Sequence, residues 1–244
     1  MSSRVRLDRL LSHLGYGTRR DIGAWVDAGH IQLDGVTLDD PSMHLLLSDD
    51  LPMRLCVEGK PLDPLPGLVV MLHKPCGMTC SHKESGPLIY DVLPPRWKRR
   101  TPAISSIGRL DKDTSGLLLL TDDGTLLHRI TSPKQHVSKT YRATLARPLQ
   151  GTEAQLFSSG TLLLQGEEKP LLPALLEVLS PTEARLTVHE GRYHQVRRMF
   201  AAAGNHVLTL HREKIGALCL PDDLAPGSFC LLSAQEIPLV FTRA

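Results

Sequence analysis

The segment that most constrains the fold of this chain is GKPLDPLPG, at residues 59–67. It contains three prolines and two glycines, and proline lacks the backbone N–H that a helix interior or a central strand needs. Such a composition is typical of a linker between folded parts. It predicts a small folded unit at residues 1–59, a linker at residues 60–67 and a larger unit at residues 68–244.

The small unit is predicted to hold two helices and a hairpin. Leucines at positions 7, 10, 11 and 14 follow the spacing of an amphipathic helix. Thr18 and Asp21 resemble a capping box at the start of a second helix. The pair Asp34-Gly35 is typical of a tight hairpin turn. A compact α/β unit of about 50 residues follows from these signals.

In the larger unit, strand patterns outnumber helix patterns, and prolines and glycines separate them. This arrangement predicts an α+β fold with a largely antiparallel mixed sheet. The predicted strands are residues 68–72, 117–121, 141–146, 174–179, 184–189 and 206–211, and the predicted helices are residues 125–130 and 194–203, with a further helix after Ser233.

The charge of the chain is distributed unevenly. Residues 1–59 carry six arginines and nine acidic residues, a net charge of −3, whereas the whole chain is +2 and the remainder is therefore +5. The basic residues cluster in RWKRR at 96–100 and RYHQVRR at 192–198. One such cluster is usually a solvated surface, but two favour a polyanionic partner, because cations placed on phosphates release counterions.

The cellular setting is indicated by what the sequence lacks. No apolar run approaches the roughly 18 residues that cross a bilayer, and the charged N-terminus does not read as a signal peptide. Five cysteines, an odd number, indicate reduced thiols. We therefore expect a cytoplasmic protein with no membrane association.

Metal and nucleotide signatures are weak or missing. The sequence has no phosphate-binding GxxxxGK[ST] loop. His73, Cys76, Cys80 and His82 are close in sequence, but CxxxC is not the spacing of a structural zinc site. Buried or spare thiols are the favoured interpretation, and the sequence leaves open whether residues 73–82 bind anything. A zinc nucleobase deaminase is excluded, because HRE lies downstream of PC rather than upstream.

The most informative segment is GRLDKDTSGLLLLTDDG, at residues 108–124. A polar turn leading into a buried strand explains its second half. It does not explain why Arg109, Asp111 and Asp113 stand directly before the apolar run. A carboxylate at the start of a rigid strand is well placed for chemistry.

A second candidate segment is EGRYHQVRRMF, at residues 190–200. On a helix, Val196, Met199 and Phe200 form the core face. Arg197 lies at the edge of this face, where an arginine can reach into a cleft and pair with a carboxylate. Arg198 is predicted to point into solvent.

Together these segments carry a resemblance to a known family. GRLDKDTSGLLLLTDDG, SKTYRATL and EGRYHQVRRMF resemble the three motifs of the RsuA/RluA-type pseudouridine synthases, and LHKPCG resembles their fourth. HRITSPKQHVSKTY and FAAAGNHVLTLHREKIG resemble the RsuA branch, which modifies small-subunit (16S) rRNA. The N-terminal unit resembles the RNA-binding domain named after ribosomal protein S-four.

The resemblance implies a role for each matching residue. Asp111 is the catalytic aspartate, Tyr141 is the active-site tyrosine, and Arg197 is the basic residue that pairs with the aspartate. Arg109 is the arginine associated with displacement of the target base. These roles make chemical sense, because the uracil must leave the stack, an aromatic face can hold it, and a cation keeps the nucleophile ionised.

The resemblance also implies the partners. We expect the protein to act as a monomer on 16S rRNA or on the assembling small subunit, without a cofactor or a metal. RNA contacts are expected at Arg19, Arg20, Lys74 and Arg192, besides Arg109. Three alternatives remain open: a pseudouridine synthase acting on 23S rRNA, a non-catalytic RNA-binding ribosome-assembly factor, and a hydrolase that uses Asp111 with Asp113.

Overall fold

A computed structural model describes residues 4–242 and divides the chain into two compact units. The first unit runs through Leu68 and also takes in Leu93–Ser105 and Thr121–Gly124. The second unit holds Val69–Val92, Ser106–Leu120 and the chain from Thr125 onward. A division by chain order alone does not predict the two segments that return to the first unit.

The first unit packs helices on short strands. Its core leucines and isoleucines are fully buried, including Leu7, Leu11, Ile22 and Ile31. The antiparallel strand order is β3-β2-β5-β6, and β1 pairs with β4. The elements of this unit are β1 (Arg4–Arg6), α1 (Leu7–His13), α2 (Arg19–Asp27), β2 (Ile31–Leu33), β3 (Val36–Thr37), β4 (His44–Leu46), α3 (Leu51–Arg54), β5 (Leu55–Val57) and β6 (Lys60–Pro61).

The predicted local signals of this unit are present. The Thr18 hydroxyl accepts a hydrogen bond from the Asp21 backbone N–H, and the Asp21 carboxylate accepts one from the Thr18 N–H. These are the two bonds of a capping box. Asp34 and Gly35 have φ values of 52° and 80°, the left-handed pair that a type I′ hairpin turn requires.

The proline-rich segment is partly built into the first unit. Lys60–Pro61 forms β6 and pairs with β5, and the Leu62 side chain is buried in the core of this unit. Proline is tolerated here because β6 lies at the edge of its sheet. The structure therefore places ordered strand at the start of the stretch that the composition predicts as a linker.

The second unit is built on a nine-stranded sheet in the order β11-β12-β10-β13-β9-β7-β15, with β14 beside β13 and β8 beside β9. β10 pairs antiparallel with β12 and β13, as do β11 with β12 and β15 with β7, whereas β13 runs parallel to β9. The predicted α+β fold is confirmed. Its elements are β7 (Val69–Lys74), β8 (Ser105–Ser106), β9 (Thr114–Thr121), α4 (Gly124–Thr131), β10 (Lys139–Leu145), α5 (Glu153–Ser158), β11 (Leu175–Ser180), β12 (Glu183–Val188), α6 (Gln195–Ala202), β13 (Val207–Ile215), β14 (Leu218–Cys219) and β15 (Phe229–Leu231).

Strands β9 and β13 approach each other unusually closely. Gly116 has φ +110°, and a Cβ there would lie 2.3 Å from the carbonyl oxygen of Arg212. Only glycine fits this position. Both strands are also longer than their apolar runs predict, because polar residues such as Thr114 and Arg212 are buried within them.

The end of the chain differs from its prediction. In place of an α-helix after Ser233, the structure has a 3₁₀ turn at Ile237–Phe241. The predicted pairing of Ser233 with Glu236 is nevertheless present, since the Glu236 carboxylate accepts hydrogen bonds from the Ser233 N–H and hydroxyl. Proline at position 238 lacks the N–H that a longer helix would need.

Candidate active site

A cleft of about 850 Å³ lies within the second unit. It is lined by the loop before β9, by β10 and β13, and by the segment that leads into α6. Asp111, Tyr141, Arg109 and Arg192 all line it, as the resemblance implies for residues of one site. Its volume is in the range of small-molecule sites.

The main chain around Asp111 is held by a buried lysine. Lys74 is fully buried at the end of β7. Its ammonium donates to the carbonyl oxygens of Asp111 at 2.9 Å and Thr114 at 2.8 Å, with a longer contact to that of Pro75 at 3.2 Å. Burial lowers the pKa of Lys74. The prediction that Lys74 contacts RNA is therefore wrong, because its ammonium is buried and already donates to main-chain carbonyl oxygens.

The carboxylate of Asp111 is 32% exposed and faces a histidine. His194 Nε2 lies 3.5 Å from Asp111 Oδ1. His194 precedes α6 in a left-handed conformation, with φ 49°. This conformation is uncommon for a residue with a side chain. It turns the imidazole toward the loop that carries Asp111, with the exposed Tyr193 ring stacked on it at 3.9 Å between ring centroids.

Arg197 does not pair with Asp111 in this structure. Its Nη2 lies 2.8 Å from the Asp113 carboxylate, and its Nη1 donates to the Val207 carbonyl at 3.1 Å. The predicted pairing is corrected accordingly: Arg197 reaches the loop but meets the carboxylate two residues farther on. The helix wheel fixes the face of α6 on which an arginine lies, but it does not fix which of two neighbouring carboxylates the arginine meets.

Tyr141 is accompanied by an arginine that the sequence analysis did not identify. Arg212, on β13, is 2% exposed. Its Nε donates to the Leu117 carbonyl at 2.7 Å, its Nη1 lies 3.4 Å from the Tyr141 hydroxyl, and its Nη2 has no hydrogen-bond partner within residues 4–242. A buried cation beside the aromatic ring is thus part of the cleft wall. The only sequence signal for Arg212 is its place in HREKIG, within a segment that resembles the RsuA branch.

Lys139 is the second cation on this side of the cleft. It begins β10, two residues before Tyr141. Burial lowers the pKa of Lys139 to about 8, and the positive charge of Arg212 acts in the same direction, whereas Glu190 opposes both. In the sequence, Lys139 stands out only as part of the SKTYRATL motif.

Arg192 lines the cleft but its guanidinium is already engaged. It contacts the carboxylates of Glu190 at 3.0 Å and Glu167 at 3.1 Å, and it donates to the carbonyl oxygens of Lys169 and Pro170. Arg198 also binds Glu167, at 2.8 Å. The prediction that Arg198 points into solvent is wrong. Arg192 and Arg198 therefore link segments of the protein through ion pairs and hydrogen bonds, and their charges are neutralised by Glu190 and Glu167.

In the first unit, the basic residues divide into engaged and exposed ones. Arg19 is exposed but binds the buried carboxylate of Asp8 at 2.7 Å, whereas Arg20 is exposed. Within the RWKRR cluster, Arg96 lies over the Tyr16 ring, 4.0 Å from its centroid. Arg100 is buried in an ion pair with Asp122. Arg19, Arg96 and Arg100 are therefore engaged in contacts within the protein.

The structure offers no support for a metal at the cysteine-histidine segment. Within residues 4–242, no group of three or more His, Cys, Asp or Glu side chains is arranged to hold a metal ion. The His82 ring stacks on Tyr90 instead, with 3.8 Å between ring centroids. All five cysteines are free thiols. Over the same residues, no helix is long and apolar enough to span a bilayer.

Two family models match the chain. The model of RNA pseudouridylate synthase matches residues 68–202, and that of the S4 domain matches residues 5–51. Similar full-length relatives include the ribosomal small subunit pseudouridine synthase A of Escherichia coli, 41% identical over 97% of this chain and 100% of the relative. The protein of the same name from Pasteurella multocida is 42% identical over 96% of this chain and 98% of the relative.

A solved structure agrees with these matches. The structure described as a crystal structure of pseudouridylate synthase is 39% identical in sequence, covers 97% of this chain and 99% of its own, and has a TM-score of 0.66. The family match covers more than half of the chain, and the relatives match along nearly all of it. The chain therefore belongs to the RNA pseudouridylate synthase family, and it carries an S4 domain at its N-terminal end.

Proposed function

We propose that this protein converts one uridine of small-subunit (16S) rRNA into pseudouridine, with Asp111 as the nucleophile. The observation that carries this proposal is the placement of the Asp111 carboxylate, partly exposed in the loop before β9, in one cleft with the Tyr141 ring. A nucleotide that leaves the stack can enter a cleft of this size.

Each residue has a defined task in this reaction. The Tyr141 ring stacks on the displaced uracil, and the exposed Arg109 at the cleft fills the space that the base leaves. An Asp111 oxygen forms a bond to C1′ of the ribose while the N1–C1′ bond breaks, and its electron pair stays on the base. The uracil then turns, and C5 bonds to C1′ and releases the carboxylate. The C5 proton is lost and N1 gains one, so the reaction consumes no co-reactant or cofactor.

The target is inferred from the relatives and the domain composition. The relatives named above are called small-subunit synthases, and the S4 match at residues 5–51 supports RNA as the substrate. We propose that residues 1–59 bind RNA, that residues 60–67 connect them to the rest, and that residues 68–244 carry the chemistry. The exposed Arg20, and Arg19 to a lesser degree, are the proposed RNA contacts of the first part. We further propose that the protein acts as a monomer and, because the proposed substrate is rRNA, in the cytoplasm.

The test of the chemistry is replacement of the nucleophile. Asp111→Asn keeps the size of the side chain but removes its nucleophilic charge, so release of tritium from rRNA labelled at uracil C5 should fall to background. Asp222→Asn, the same change at an exposed position, should leave the rate unchanged. Retained pseudouridine formation by Asp111→Asn would exclude Asp111 as the nucleophile.

The same assay separates the alternatives. A hydrolase would free the base from the RNA, and an assembly factor without catalysis would release no tritium at all. A pair of hydrolytic carboxylates must flank the scissile bond. Asp113 instead binds Arg197, which disfavours such a pair with Asp111.

A further inference from the structure

The cleft contains a lysine that the reaction as described does not use. Lys139 and Tyr141 are two residues apart on β10, so their side chains share one face of the sheet. Both line the cleft that contains Asp111. Whatever base stacks on Tyr141 therefore lies beside the Lys139 amine.

The amine of Lys139 has few partners. Its Nζ donates one hydrogen bond, to the Val137 carbonyl at 3.0 Å, whereas an ammonium has three donors. Within residues 4–242, no carboxylate lies within 4.0 Å of Nζ. Lys139 is thus unlike Lys74, whose ammonium is saturated by loop carbonyls. Its nitrogen is available to a bound molecule.

The charges that face Lys139 come from three elements. Arg212, on β13, repels a proton on the amine, and Glu190, ahead of α6, attracts one. Burial, the largest influence, disfavours the ammonium, and the resulting pKa is about 8. The other charged or titratable residues that line the cleft are Asp111, Arg109 and Lys112 before β9, Tyr141 on β10, and His189, Arg192, Tyr193 and His194 ahead of α6, together with Cys80 and Glu84. An amine that can give up its proton near neutral pH is suited to general acid-base catalysis.

We propose that Lys139 carries the proton from C5 to N1 of the uracil in the last step of the reaction. This proposal rests on the function proposed above. After C5 has bonded to C1′, C5 still holds its hydrogen, and N1 has none. The neutral amine takes the C5 proton, and the electron pair of the C5–H bond restores the conjugated ring, which leaves the electron pair on N1. The ammonium then donates a proton to N1, so that the enzyme returns to its starting state.

The test is a deuterium isotope effect in a single turnover. Lys139→Met retains most of the side-chain length and loses the amine. With rRNA that carries deuterium at uracil C5, this variant should react about 10²- to 10⁴-fold more slowly than wild type. It should also show a larger isotope effect, because proton removal has become the slow step. Lys214→Met is the matched control, since Lys214 pairs with Thr140 on the opposite face of the same sheet, and it should behave as wild type.

A pH profile gives a second readout. The wild-type rate should fall on the acidic side of about pH 8, because the amine is then increasingly protonated. Lys139→Met should lose this acidic limb. A slow variant with an unchanged isotope effect and an unchanged limb, or with only weaker RNA binding, would overturn the proposal. If the wild-type protein itself makes no pseudouridine, the proposed function fails instead, which distinguishes the two failures.

Discussion

At the scale of single residues, the ion pair of Arg197 bears on how the loop that carries Asp111 is held. The resemblance implies a contact with Asp111, and the structure has one with Asp113. Asp113 is 69% exposed, so this ion pair adds about 1 kcal/mol or less to stability. We therefore expect any large effect of Arg197 on the rate to arise from the geometry of the loop rather than from the stability of the protein.

A double-mutant cycle separates the two contacts. Arg197→Met should lower kcat/KM by about 100-fold, since small displacements of a reacting group are costly. If Arg197 acts through Asp113, the loss should be partly shared with Asp113→Asn, with a coupling of about 0.5–3 kcal/mol. Single-turnover rates of the two single variants and the double variant measure this coupling. Independent losses would instead favour a contact between Arg197 and Asp111 in the RNA complex.

The sequence located some site residues and missed others for physical reasons. Asp111 is a candidate because a polar group of Arg109, Asp111 and Asp113 precedes an apolar run, and its role is implied by the family resemblance. Arg212 could not be found, because a polar residue inside a strand is usually solvent-facing, and here it is buried. The contact of His194 depends on a left-handed backbone, which no sequence periodicity reveals. Lys139 resembled an ordinary strand residue until its burial was known.

At the scale of elements, the first unit contains a buried ion pair between Arg100 and Asp122. The sequence patterns predict that both residues are exposed. Arg100 belongs to a cluster predicted to face RNA, and Asp122 to a polar turn. In the structure both side chains are about 2% exposed or less, with Nη2 and Oδ2 2.9 Å apart. Asp122 also accepts a hydrogen bond from the Gly67 N–H at 2.7 Å. The periodicity of the apolar residues could not predict this, because neither residue is apolar.

Removal of one partner should therefore be costly. Arg100→Met leaves the Asp122 carboxylate buried without its counter-charge, and we expect a loss of about 3–5 kcal/mol in the free energy of unfolding. Both tryptophans, Trp25 and Trp97, lie in the first unit, so tryptophan fluorescence in urea follows the unfolding of this unit. Arg99→Met, at the exposed neighbour, is the control. Equal unfolding midpoints for both variants and wild type would show that the pair adds nothing.

Regular elements were predicted more reliably than their ends. The helix α1 (Leu7–His13) and the hairpin at Asp34-Gly35 are present because local spacing and turn chemistry determine them. The lengths of β9 and β13 were underestimated, since pairing in the middle of a sheet extends strands into polar residues. Long-range pairings of this kind are not encoded in a local pattern.

At the scale of the whole molecule, a prediction concerns the identity of the RNA that is modified. A cleft of about 850 Å³ has room for one nucleotide, so we expect the choice among ribosomal RNAs to depend on contacts outside it. We expect the full-length protein to modify one uridine in 16S rRNA, or in an assembling small subunit, and none in 23S rRNA. Mapping of pseudouridines after incubation of each unmodified RNA with the purified protein tests this. Asp111→Asn serves as the blank, and a site in 23S rRNA would overturn the assignment while leaving the chemistry intact.

The hydrogen bonds of Lys74 to the loop that carries Asp111 affect which residues of that loop can change during evolution. Lys74 donates only to main-chain carbonyl oxygens, and every amino acid supplies one of these. The anchor therefore does not depend on the identity of the side chains above it, and the exposed Arg109 and Lys112 can change without loosening the loop. Mutation can then alter which RNA segments the cleft binds while Asp111 keeps its position. Residues that position the loop and residues that contact the substrate can therefore change independently, although they lie in the same short segment.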